Sequence, residues 1–401
     1  MLAEMVRVLK LAVLAITFVG TAAAAQQRGV PRDGYPNWAE RMMQVHFNRS
    51  RAAPTTDPKA CLQSTVRPPL LDAWELDRAA RFQSTNLAKT GCFQHDSPCL
   101  LVSDISARWP PYGTCDGSAA CACTNAPQCL SDCPSSQCTQ TFDRVALFGM
   151  GGTGEIIAKG QKSPRAAHRS WMMSAGHCAI ILGSAGRVGT GWFENHWTGN
   201  FGSGSAPTGP VAGGHEVGTA FGQFLSNTGQ PVEFRVNVHD PAGAPRSVTL
   251  NLAGSCNLLS LERGSETNGT WLATLSLSGP GCRRYVFTVE DAAGTVRRLP
   301  EAGSYGLGTD AAGCPDWEAR QVPACDGSDE QGGQDAGTTS TADAGTDPTT
   351  GQPGEPPAED VEGETATPPY GCGGCSATGS GLGAVASAAW ALWAARRKQR
   401  V

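Results

Sequence analysis

Six of the sixteen cysteines crowd into the 24 residues from Cys115 to Cys138, among Gly, Ser, Pro and Asn. A segment so poor in large apolar side chains cannot hold a shape by burial and needs covalent staples. Cysteine clusters also bind zinc, but this many thiols in one chain belong to an oxidising compartment, where they pair. The cluster therefore reads as a disulfide-laced insert over 99–140, within a larger folded region. Setting aside Cys372 and Cys375 leaves fourteen cysteines, an even number that permits complete pairing.

With 40% hydrophobic residues in 401, the chain can bury cores of two or three domains, so disorder throughout is excluded. The formal charge of −5 hides an asymmetry: Asp326 to Tyr370 holds eleven carboxylates and no Lys or Arg, leaving 31 basic against 25 acidic residues elsewhere. Much of that excess sits at the termini and no basic stripe exists, which argues against nucleic acid as a partner. The acidic stretch 326–370 has almost no large apolar side chain and reads as a disordered, solvated linker.

At the start, Arg7 and Lys10 precede the apolar run Leu11 to Val19, and Thr21 to Ala25 supply the small residues a signal peptidase requires. Residues 1–25 are thus expected to be a secretory signal peptide. At the other end, 371–401 places Gly371-Cys372-Gly373-Gly374-Cys375 before a weakly apolar transmembrane span, Ala377 to Ala395, and then an Arg-rich cluster. That order resembles the C-terminal sorting tags of myxobacterial surface proteins. The resemblance implies a membrane tether through the C-terminus and a secreted protein held at the cell surface or outer membrane of a Gram-negative bacterium.

The body divides by its hydrophobic period. Trp38 to Phe47 and Leu70 to Ala88 carry apolar residues at helical spacing. From Pro231 the period becomes two: Val232–Val238, Val248–Leu252, Trp271–Leu277 and Tyr285–Val289 read as strands joined by short turns. The segment 206–310 is expected to form a small β-sandwich that looks like the immunoglobulin-like modules of bacterial surface proteins, with Cys256 and Cys282 placed to tie two strands.

Four stretches between 38 and 202 come in a telling order: His46 to Arg51; Pro69-Leu70 through Ala80 to His95; Phe142-Asp143-Arg144 leading to Gly154-Glu155-Ile156-Ile157; and Trp171 to His177 with Val188 to Gly191. Together with Trp197 to Gly202 as a closing strand, they resemble the bacterial branch of the CAP superfamily, the cysteine-rich secretory, antigen 5 and pathogenesis-related proteins. The resemblance implies an α+β fold, an α-β-α sandwich interrupted by the cysteine-rich insert. It also implies a ligand-binding cleft in which His95 and His177 face Glu155. Ile156 stands where the family has Asn. Ser174 stands where eukaryotic members have a second glutamate.

Apart from any family, His95, Glu155 and His177 are a sensible set. Two neutral imidazoles, His95 and His177, with a carboxylate can hold zinc or another divalent metal. Alternatively the carboxylate fixes one imidazole's tautomer. His46, His168, His196, His215 and His239 are read as structural or exposed. A serine hydrolase is disfavoured because Gly-x-Ser-x-Gly is absent, and Cys178 is expected in a disulfide rather than as a nucleophile. The expected function is a surface protein whose cleft binds a metal or a small, lipid-like extracellular ligand. A metal-dependent hydrolase of peptide or cell-wall material, with Glu155 as base, is one alternative. A non-catalytic adhesin or envelope component with an extracellular partner is the other. Loss of the second acidic group weighs against catalysis.

Overall fold

The computed structural model describes residues 36–109, 123, 129, 134–217, 225, 228–279, 281–308 and 314–325. The expected signal peptide, acidic linker and sorting tag, and much of the insert, lie outside the described residues. The first half runs α1 (Trp38–Ala52), β1 (Leu71–Asp72), α2 (Trp74–Thr90), α3 (Ile105–Arg108), α4 (Thr141–Leu147), β2 (Gly154–Lys159), α5 (Pro164–Met172), α6 (Ala175–Ile181), β3 (Arg187–Phe193) and β4 (His196–Gly202). The second half is all strand: β5 (Gly209–Val217), β6 (Gln230–His239), β7 (Ser247–Leu252), β8 (Ser255–Leu258), β9 (Ser260–Ser265), β10 (Asn268–Leu277), β11 (Arg283–Glu290), β12 (Val296–Leu299), β13 (Ser304–Leu307) and β14 (Trp317–Glu318). The chain is an α+β protein.

Helix α1 opens with a capping box. The Asn37 side chain accepts from the Glu40 amide at 3.0 Å, and Glu40 accepts in return from the Asn37 amide at 3.0 Å. Helix α2 closes at Gly91, whose φ of 71° lets its N–H reach the Leu87 carbonyl. The helix expected from Leu70 starts later, at Trp74, because Leu71 and Asp72 pair in parallel with Arg187 and Val188 as strand β1.

The first sheet has the order β1-β3-β4-β2. Glu194 and Asn195, both at positive φ, make the two-residue turn between β3 and β4, where Phe193 pairs with His196. Helix α2 lies on one face, so near β3 that a Cβ on Gly189 would stand 2.1 Å from the Asp77 backbone nitrogen. On the other face lies α1: Thr190 Oγ1 donates to the Glu40 carbonyl, and Met42, Met43, Val45 and Phe47 join Val188, Trp197 and Phe201 in one core.

The remaining strands form two antiparallel sheets, β5-β6-β10-β9 and β14-β13-β11-β7-β8 with β12 beside β11. Val232, Phe234, Val236 and Val238 of β6 face Leu250, Tyr285 and Phe287 across a shared apolar core. The opposite side of the first of these sheets meets α1. Trp38 Nε1 donates to the His215 carbonyl at 2.7 Å, and a Cβ on Gly214 would touch Met42 Sδ at 2.5 Å. In strand β5, Gly213 and Gly214 leave room for close neighbours on both sides, Phe287 on one and Met42 on the other. Helix α1 is therefore a central layer, and every one of its residues except Arg49 is buried.

All eleven cysteines among the described residues are disulfide-bonded, including Cys123, Cys129 and Cys138 of the insert. Oxidised thiols of this number mark a protein that folds in an oxidising, extracellular setting. Ten of them form the pairs Cys61–Cys178, Cys92–Cys129, Cys99–Cys123, Cys256–Cys325 and Cys282–Cys314, and the partner of Cys138 lies outside the described residues. The expected Cys256–Cys282 bridge is corrected. Cys256 lies on β8 and Cys282 just precedes β11, and β7 runs between those two strands, which are therefore two spacings, about 9–10 Å, apart, beyond disulfide reach.

Candidate functional site

Glu155 on β2 and Asn200 on β4 are directly opposite in the antiparallel register, so both project from the face that α2 covers. Asn200 is fully buried and Glu155 nearly so. With its amide oriented to satisfy both neighbours, Asn200 donates to Glu155 Oε2 at 2.9 Å and accepts from the Ala80 amide at 3.1 Å. Arg144 of α4, also fully buried, donates to the same Oε2. The second oxygen, Oε1, lies 3.0 Å from His95 Nδ1. Both oxygens of the buried carboxylate thus have partners, two on Oε2 and one on Oε1.

His95 sits on a loop without helix or strand, and its position is secured from several directions. Its carbonyl accepts from Arg144 Nη1 at 2.6 Å and from Gln83 Nε2 at 3.2 Å. Cys92 and Cys99 flank it and bind Cys129 and Cys123. Arg144 therefore holds both the carboxylate that orients the imidazole and the backbone that carries it. The ring itself is about half exposed, 47% for the side chain, so its outer nitrogen reaches solvent. A carboxylate at Nδ1 favours the proton there and leaves the Nε2 lone pair outward.

His177 lies on the first turns of α6, and the adjacent Cys178 is bonded to Cys61, anchoring that helix to the loop after α1. Burial, and after it the proximity of His95, push the His177 imidazole down to about 4, so it is neutral at physiological pH. Ser174 is the residue that begins α6, half-buried, and among the described residues it makes no side-chain hydrogen bond to the His95–Glu155 pair. Ile156 points the other way, into the core with Trp197 and Phe201. Its Asn-to-Ile difference from the family pattern therefore falls on the apolar face, whereas Asn200 supplies an amide to Glu155.

Arg144 and Asn200 were not singled out by sequence, although both lie in the motifs quoted above. Their signal is positional, since only strand register and the α4 approach bring them to Glu155. Among the described residues, no three His, Cys, Asp or Glu side chains converge as a metal site. Glu155, with both oxygens engaged, is not placed to be a ligand; a metal here would rest on His95 Nε2 and His177.

Phe93, two residues before His95, and Phe142, two residues before Arg144, are each 47% exposed. Among the described residues, no helix is long and apolar enough to cross a membrane. No family model matches the chain, and no curated protein sequence matches it. A solved extracellular protein containing an SCP domain, from Bacillus anthracis str. Ames, aligns at 19% identity with a TM-score of 0.23. The alignment covers 34% of this chain and 34% of that one, about a third of each.

Proposed function

We propose that the chain is a secreted, surface-tethered CAP-type protein whose cleft binds a small extracellular ligand through two imidazoles, His95 and His177. The observation that carries this reading is the buried, partnered Glu155 carboxylate. One oxygen orients His95 and the other is held by Arg144 and Asn200, so Glu155, 1% exposed, positions a binding group and is shielded from solvent water. That favours binding over hydrolysis. The exposed Phe93 and Phe142 beside these residues suit a ligand with an apolar portion. A divalent metal is the simplest occupant for a pair of imidazoles, with zinc a natural probe.

The test is calorimetric titration of zinc into the purified full-length chain at pH 7. His95→Ala or His177→Ala should abolish saturable binding, because one imidazole cannot compete with water for the ion. Glu155→Gln should weaken it ~10–100-fold through loss of ring orientation. His196→Ala is the control, since His196 Nδ1 is tied to the Glu194 carbonyl at 3.0 Å, away from the cleft. Undiminished binding in the His95 and His177 variants would overturn the site, and equal loss in all three would mean scattered surface binding.

A further inference from the structure

A cavity of about 380 Å³ lies where α1 and α5 meet β6, and it shares no residue with the His95 cleft. Its volume falls within the range of small-molecule sites. Arg49 comes from α1, Arg165 and Arg169 from α5, and Arg235 from β6, so three elements and both halves of the fold each contribute guanidinium groups to one wall. His46 and His168 complete it, their rings stacked with centroids 5.6 Å apart.

The balance of charge on that wall is unequal. Asp57 is the one carboxylate among the lining side chains, and it is already engaged by Arg263 at 2.6 Å and by Ser50 at 3.2 Å. Glu216, Glu233 and Glu262 pair with Arg165, Arg235 and Arg49, but these carboxylates stand outside the lining. Glu216 is almost wholly buried, and although burial would raise its carboxyl, His46 and Arg165 hold it well below the usual range. It remains a fixed anion behind the wall. Arg169 enters no ion pair among the described residues and is exposed on α5 toward the cavity mouth. Counting Asp57 with its partner Arg263, five arginines meet four carboxylates, and the unmatched positive charge is that of Arg169 at the cavity mouth.

We propose that this cavity is a binding site for a phosphate-type oxyanion, free or as a monoester. Arg235 spends all three of its nitrogens on Glu216, Glu233 and Glu262, so donors for a ligand come from the two helices, from Arg169 on α5 and from Arg49 Nη1 on α1, 3.7 Å from Asp57. Guanidinium donors arriving from two sides suit a tetrahedral group better than a flat carboxylate, which one fork satisfies. The stacked imidazoles and Met172 offer a less polar flank for the organic part of an ester.

Inorganic phosphate and a sugar phosphate monoester are titrated calorimetrically into the purified full-length chain, with sodium chloride holding ionic strength constant. Saturable binding of at least one is expected. Tighter binding of the monoester identifies an ester as the occupant, and equal binding identifies the free ion. Arg169→Ala should weaken binding about tenfold or more, the loss expected for a hydrogen bond to a charged group, and Arg169→Glu should abolish it. Neither should alter the thermal midpoint of the unliganded chain, since Arg169 has no partner to lose. Lys162→Ala, which removes an exposed cation outside the cavity, and His95→Ala should leave binding unchanged. The proposal fails if neither anion saturates, if Arg169→Ala binds as well as the parent, if Lys162→Ala weakens binding equally, or if His95→Ala removes it.

Discussion

Helices α1 and α2 cover opposite faces of one four-stranded sheet and carry similar mixtures of apolar and polar residues, yet their polar residues meet different fates. Helix α2 buries Asp77, Arg81, Gln83, Ser84, Thr85 and Asn86 against the sheet and its neighbours but leaves Glu75 and Lys89 in solvent. Helix α1 is roofed by the second sheet, so Glu40, Gln44, His46, Asn48, Ser50 and Arg51 are all buried. Each finds a partner: Glu40 takes Arg81 through two hydrogen bonds of 2.9 and 2.8 Å, and Asn48 exchanges bonds with the Leu70 backbone. Arg51 donates to the carbonyls of Pro68, Ile181, Gly183 and Ala185. A polar stripe on a helix thus does not identify a solvent face. It identifies either a solvent face or an interface rich in matching groups, and leaving such groups unmatched costs enough to decide between the two.

The comparison breaks most readily at its buried charges. On the α2 side, Arg144→Ala leaves Glu155 ionised and without its cation, and should cost about 3–5 kcal/mol in urea unfolding. The same variant should also lose zinc binding at His95, since its carbonyl tether goes too. A loss below 1 kcal/mol would mean that Glu155 is solvated rather than held as described.

Closeness of approach is the next point of attack. Gly189→Ala should destabilise by about 1–3 kcal/mol, because the new methyl meets the Asp77 backbone and not a flexible side chain. Gly214→Ala on the α1 side meets the thioether of Met42, which can move, and should cost less. Equal costs in chemical denaturation would contradict the different packing of the two helices.

A pH dependence sharpens the contrast within the α1–α2 contact. Burial raises the Asp72 carboxyl to about 6, and burial and then Asp72 raise that of Asp77, so the folded state holds protons that the unfolded chain releases near 4. These groups favour folding below about pH 4, and their contribution declines as pH rises through 6. Asp72→Asn should therefore be more stable than the parent at pH 7 and lose that advantage at pH 4, measured as the thermal midpoint across that range. His177 and the buried His168 act oppositely. Burial lowers both, so their charging favours the unfolded chain as pH falls below 6.5. Comparing each variant with the parent separates the two trends.

The smallest effect lies at the helix starts. Asn37→Ala removes the side-chain cap of α1 and should cost about 1 kcal/mol. Helix α2 begins at Ala73 with no side-chain cap, so its start rests on packing alone. An Asn37→Ala variant with an unchanged thermal midpoint would show that tertiary contacts fix both starts equally.

Much of this molecule is written in local sequence. Period-two runs marked β6, β7, β10 and β11, helical spacing marked α1 and most of α2, and cysteine number marked an oxidised chain, because alternation, periodicity and redox compartment act over a few residues or through composition alone. His95 and Glu155, sixty residues apart, were paired in advance through a family resemblance and meet at 3.0 Å. Tertiary structure decided the rest. Strand register delivered Asn200 to Glu155, the α4 approach delivered Arg144, and the order β11-β7-β8 sent Cys256 to Cys325 and Cys282 to Cys314. The burial of α1 on both sides was invisible as well, since a polar helical face and a polar strand face such as Glu233, Arg235 and Asn237 each look solvated in isolation. They become interior only when they cover one another, and that depends on the complementarity of distant groups rather than on the composition of either segment.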